Sequence, residues 1–80
     1  MTVRECVVNR IVQLCQERDM AFNALARSAA VPPSTLKGIL NGASQNPGIV
    51  TIKMLCDGFG ISLIEFFDTP EFAALEQEIK

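Results

Sequence analysis

The sequence predicts an all-α fold, and three observations carry that prediction. Apolar residues recur at helical spacing along most of the chain. No stretch alternates with the two-residue rhythm of a half-buried strand, and the apolar runs are bounded by helix start and stop signals. The chain has 80 residues, 49% hydrophobic and 20% charged, enough for one core and no more. A single domain over residues 1–80 is expected, with no repeat, low-complexity tract or linker.

The first helix is predicted from about Thr2 to Arg18, with Val7, Ile11, Leu14 and Cys15 as its inward face. Asp19 and Met20 form a short joint. A second helix covers about Ala21–Ala29, turning Phe22, Leu25, Ala26 and Ala29 to one side. Ala30-Val31-Pro32 reads as a turn, and Pro33 opens a third helix, where its missing N–H is not needed. That helix carries Leu36, Ile39 and Leu40 inward and ends at Asn41-Gly42, both tolerant of left-handed backbone. Ser44 to Gly48 is a polar loop. A fourth helix, about Ile49–Phe59, packs Ile52, Leu55, Cys56 and Phe59 and stops at Gly60. Ser62-Leu63-Ile64-Glu65 is a capping box for a short fifth helix through Phe67. Thr69-Pro70-Glu71 starts a C-terminal helix predicted over about residues 70–79.

Charge and cysteine content narrow the function classes. The net charge is −2, but no acidic residue stands between Asp19 and Asp57, where Arg27, Lys37 and Lys53 give +3. From Gly58 onward five acids face Lys80, giving −4. A phosphate-contacting surface must first avoid carboxylates, and the middle of the chain does so. The cysteines, Cys6, Cys15 and Cys56, are odd in number, lack CxxC spacing and fall in apolar helical patterns. They read as reduced core residues, not metal ligands, and a cytoplasmic location is expected. No apolar run approaches a membrane span, and no signal peptide is expected at the N-terminus. With no histidine, paired carboxylates, Gly-rich phosphate loop or metal-ligand cluster, nothing points to an enzyme or a cofactor.

Two helices joined by a tight turn pack steeply only where small residues meet, and the second can then project its outer face into a major groove. Met20 to Gly42 has those properties, with Ala26 at the crossing, Ala30 at the corner and Leu25, Val31, Leu36 and Ile39 along the seam. Here the sequence resembles the phage-repressor/Cro-type helix-turn-helix regulators, also called the XRE family. The likeness continues through Asn46-Pro47, Thr51-Ile52 and Phe59 to Phe67, covering about Ile11–Phe67.

The resemblance implies a compact five-helix, lambda-repressor-like DNA-binding domain with an extra short C-terminal helix, its helix-turn-helix unit spanning about residues 21–41. It further implies a regulator, most simply a repressor, that binds double-stranded DNA sequence-specifically as a homodimer. Pro32–Asn41 would be the recognition helix, with Pro33, Ser34, Thr35, Lys37 and Gly38 facing the bases. Asn23, Asn41, Ser44, Gln45 and Asn46 would hold the phosphate backbone. Helix capping is the structural alternative for Ser34, Thr35 and Asn41, and ordinary solvation for Lys37.

Several positions depart from the family pattern. Ala21 and Phe22 stand where relatives usually place a Ser or Thr cap and a phosphate-gripping Gln, and Asn23 is the neighbour able to substitute. Phe22 is expected to pack beneath Val31 or the terminal helix rather than stack on a base. Ala30 replaces a corner glycine, and Pro33 replaces a base-reading Gln or Arg. Cys15 and Leu40 occupy the positions of a buried Arg–Glu pair, so both partners have become apolar together. Val3, Val8, Val12, Phe72, Leu75 and Ile79 have two readings, further core or a surface for a second copy. The rival to the regulator reading is a protein-interaction module of the same fold, such as the antitoxin or partner-binding component of a complex.

Overall fold

The computed structural model describes residues 1–79 and contains six helices: α1 (Val3–Glu17), α2 (Phe22–Ala29), α3 (Pro33–Asn41), α4 (Ile49–Phe59), α5 (Leu63–Phe67) and α6 (Pro70–Ala73). Among the described residues there is no strand. Three helix starts are closed by the local chemistry the sequence offers. Thr2 Oγ1 accepts from the amide of Glu5 at 3.2 Å, Ser62 Oγ from Glu65 at 3.0 Å, and Thr69 Oγ1 from Phe72 at 3.4 Å.

The inward faces meet in one apolar core. Val7, Ile11, Leu14 and Cys15 come from α1, Leu25, Ala26 and Ala29 from α2, and Leu36 and Ile39 from α3. Ile52, Leu55, Cys56 and Phe59 come from α4 and Phe66 from α5, and Val31 and Ile61 fill the gaps between helices. Leu40 packs against this cluster, so it and the buried Cys15 share an apolar environment with no charge to satisfy. Val8 and Phe72 likewise serve the core, whereas Val3 and Ile79 are exposed. All three cysteines are free and buried, and burial pushes their thiol pKa values up, keeping them neutral.

Two contacts set how the helices sit. Helix α2 packs most extensively on α4, and Ala29 and Gly58 come close together there. A β-carbon on Gly58 would stand 2.9 Å from Ala29 Cβ and 3.0 Å from its backbone nitrogen. At the other end, Arg10 on α1 reaches the last turn of α5. Its Nε donates to the Phe66 carbonyl at 2.7 Å and its Nη2 to the Glu65 carbonyl at 2.8 Å. The Glu65 carbonyl otherwise accepts only the Asp68 amide at 3.4 Å, and the guanidinium gives the end of this five-residue helix its further donors.

The C-terminal helix is shorter than the sequence predicts: α6 ends at Ala73 rather than near residue 79. Glu76 and Glu78 would fall at the negative end of a longer helix, where carboxylates are unfavourable, and no basic residue stands in the last turn. An isolated helix this short has little propensity to spare. No helix among the described residues is long and apolar enough to cross a membrane.

Candidate nucleic-acid interface

The turn between α2 and α3 positions the site. Ala30 takes the left-handed conformation at φ 56°, its N–H donating to the Arg27 carbonyl at 3.2 Å, while the Val31 N–H donates to Ala26 at 3.0 Å. This closure satisfies the last carbonyls of α2 and drives Val31 into the seam between the helices. Pro32 stays extended at ψ 137°, and α3 departs from Pro33. The exposed Ala30 bears its left-handed backbone at a cost glycine would not carry. Ala30→Gly is therefore expected to raise stability by about 1 kcal/mol, read as a higher urea midpoint with unchanged slope.

With Leu36 and Ile39 buried, α3 presents Pro33, Ser34, Thr35 and Lys37 to solvent, with Gly38 half-buried among them. Two clefts flank this face. One, of about 470 Å³, runs between the start of α2 and α3 and is bordered by Phe22, Asn23, Pro33, Ser34, Lys37 and Asn41. The other, about 360 Å³, runs between α3 and the following loop and is bordered by Ser34, Thr35, Gly38, Ser44, Gly48 and Thr51. The base-facing set of the sequence analysis thus lies on one surface, with Asn23 and Asn41 on one flank and Ser44 on the other. Gln45 and Asn46 do not join it. They border a third cleft with Thr2, Arg4 and Glu78.

Local hydrogen bonds engage part of the loop. Asn41 Oδ1 accepts from the Ala43 amide at 2.9 Å, Ser44 N–H donates to the Gly38 carbonyl at 2.9 Å, and the Gln45 side-chain amide donates to the Gly42 carbonyl. Asn41 therefore performs the turn-closing role open to it, leaving its amide nitrogen outward-capable. Lys53 is held by Asp57 one turn along α4, which reduces the positive charge the middle segment offers.

Near the site one expectation is corrected, at Phe22, and one residue the sequence did not point to, Arg4, is brought in. Phe22 is not packed beneath Val31 or the terminal helix: it is 42% exposed and stands at the edge of the α2–α3 cleft. Helical spacing puts it on the face of Leu25, Ala26 and Ala29, but in the first turn of α2 that face has reached the edge of the core, and Ala21 before it gives no side-chain cap. Arg4 lies beside the end of α3, its Nη1 3.7 Å from the position a β-carbon on Gly42 would take. Only the placement of α1 against the loop reveals it; no spacing signal connects residues so far apart.

The starts of the three helices around this surface differ from the other three. Ala21, Pro32 and Gly48 offer no side-chain cap to α2, α3 and α4, whereas α1, α5 and α6 are each capped by a hydroxyl. Gly38 is the second departure from helical economy. A β-carbon there would meet nothing beyond its own helix, so neither packing nor backbone geometry asks for glycine. Among the described residues no group of three His, Cys, Asp or Glu stands together to hold a metal ion.

Comparison with known proteins agrees with this arrangement. Residues 10–71 match the family model of the Cro/C1-type helix-turn-helix DNA-binding domain. No curated protein matches the chain. A solved structure described as the crystal structure of the prophage Lp1 protein 11 is 32% identical and superimposes with a TM-score of 0.80, covering 90% of this chain and 95% of that one. The chain, all-helical and built around the α2–turn–α3 unit, belongs to the Cro/C1-type helix-turn-helix DNA-binding domain family.

Proposed function

We propose that the chain is a sequence-specific transcription regulator, acting as a repressor, that inserts α3 into the major groove of double-stranded DNA. The observation that carries this reading is the outer face of α3. Ser34, Thr35 and Lys37 are solvent-exposed around a glycine with no structural duty, on a segment without a single carboxylate. The two hydroxyls supply donors and acceptors for base edges, and Lys37 reaches a guanine edge or a phosphate. Phosphate contacts come from Asn23 on one flank and Ser44 on the other. Asn41 contributes through the turn after α3, and Gln45 and Asn46, set apart from the α3 face beside Arg4, would reach the phosphate backbone beyond it. The uncapped starts of α2 and α4 leave amides free for phosphate oxygens, an arrangement that favours anions.

With Pro33 contributing no hydrogen bond, one copy makes few specific contacts, so binding as a homodimer is part of the proposal. Two recognition helices would enter successive major grooves about 34 Å apart. Of the apolar side chains considered for a second copy, Val3 and Ile79 stay exposed and are available for such pairing.

Selection from a random duplex library followed by anisotropy titration tests this reading. A defined motif bound by two chains is expected. Lys37→Ala and Thr35→Ala should each weaken binding about tenfold, and affinity should fall steeply with salt. Absence of any enriched motif, or unchanged affinity in both variants, overturns the reading and favours a protein-interaction module of the same fold. Gly38→Ala supplies a sharper signature. It should raise thermal stability by about 1 kcal/mol through helix propensity while lowering duplex affinity, because the added methyl intrudes on the groove-facing surface. Stability and binding moving together would contradict the role given to this face.

A further inference from the structure

We infer that the cleft between the start of α2 and the outer face of α3 is a subsite for thymine, with Phe22 and Pro33 closing on the 5-methyl group of one base in each half-site. This rests on the reading that α3 enters the major groove and adds to it a specificity residue on α2.

Phe22 is a large apolar side chain that the fold does not use. It is 42% exposed and stands at the edge of the core rather than within it. It shares its cleft with Pro33, the first residue of α3, and with Leu36 and Leu40, which make an apolar wall, while Asn23, Ser34 and Asn41 also line it. The one charged group there is the Lys37 ammonium. An occupant with an apolar edge and an anionic flank is complementary to such a cleft, and no carboxylate between residues 20 and 56 opposes it.

The chemistry of the walls narrows the occupant further. The Phe22 ring offers no donor or acceptor, and Pro33 has no N–H to give. A base edge seated against them is therefore chosen by its apolar surface alone. In the major groove the C5-methyl of thymine is the apolar group that the four bases display. Ser34, Thr35 and Lys37, next along α3, are left to read polar edges. Where a hydrogen-bonding side chain is missing at position 33, the protein reads a methyl group instead.

The test uses the full chain and the duplex obtained by selection, with each thymine replaced in turn by uracil, which lacks only the 5-methyl. One position per half-site should lose roughly fourfold in affinity, the effect of removing one buried methyl. Phe22→Ala, which truncates a side chain already 42% exposed, should bind the thymine and uracil duplexes equally and remain folded by circular dichroism. Phe22→Leu should retain part of the discrimination. The inference is overturned if every uracil replacement is neutral while the selected duplex still binds, if the selected motif contains no thymine, or if Phe22→Ala keeps the preference. Failure to select any duplex would instead remove the DNA-binding reading on which this inference rests.

Discussion

Phe66→Ala is expected to leave most of the chain unfolded under mild denaturant. Phe66 is fully buried and sits where α5 meets the body of the domain, its ring 5.0 Å from Phe67 at 79° and 6.1 Å from Phe72. Truncating a buried phenylalanine removes its transfer free energy and leaves a cavity, together costing about 3–5 kcal/mol. A domain of this size has a total stability of about 4–12 kcal/mol, so the loss consumes a large part of it. The carbonyl that receives Arg10 remains, and that bond alone does not hold a five-residue helix against the core. The chain has no Trp or Tyr, so far-UV circular dichroism during urea unfolding is the suitable probe. Ile64→Ala on the same helix is the control: with 82% of that side chain in solvent, it should cost little. A loss below about 1 kcal/mol for Phe66→Ala would mean that α5 is not integral to the core.

The second large effect is expected at Gly58, where the same probe should report a loss of about 3 kcal/mol for Gly58→Val. Here glycine is required by proximity: an added β-carbon would stand 2.9 Å from Ala29 Cβ and 3.1 Å from its Cα. The obstacle is mainly backbone, which cannot swing aside as a side-chain tip would. Helix α2 would have to lift from α4, loosening Leu25, Ala26 and Ala29 in the core. Gly58→Ala should also destabilise, by about 1 kcal/mol, since the strain outweighs the gain in helix propensity. Gly38→Ala provides the contrast, because the same change in the neighbouring helix meets no obstacle and should stabilise. If both alanine variants stabilise, the close α2–α4 approach is not a determinant of the fold.

These two glycines illustrate what was legible in the sequence. Both occupy helical patterns, and nothing local distinguishes the one pressed against a neighbour from the one facing solvent. The candidate site divides in the same way. That Ser34, Thr35 and Lys37 share the outer face of α3 follows from helical spacing alone, once Leu36 and Ile39 are assigned inward. The exposure of Phe22, the proximity of Arg4 to Gly42, and the separation of Gln45 and Asn46 from that face depend on how helices cross.

The sequence by itself determined the all-α class, the order of the helices, the hydroxyl caps at Ser62 and Thr69, and most of the buried set. Those features arise within four residues of one another, through backbone hydrogen bonds, caps and 3.6-residue periodicity. The tertiary structure alone decided that Ala29 meets Gly58, that Arg10 closes the end of α5, and that Phe22 stands beside the reading face. Each depends on distances between segments remote in the chain. Packing sets those distances, and no local propensity encodes them.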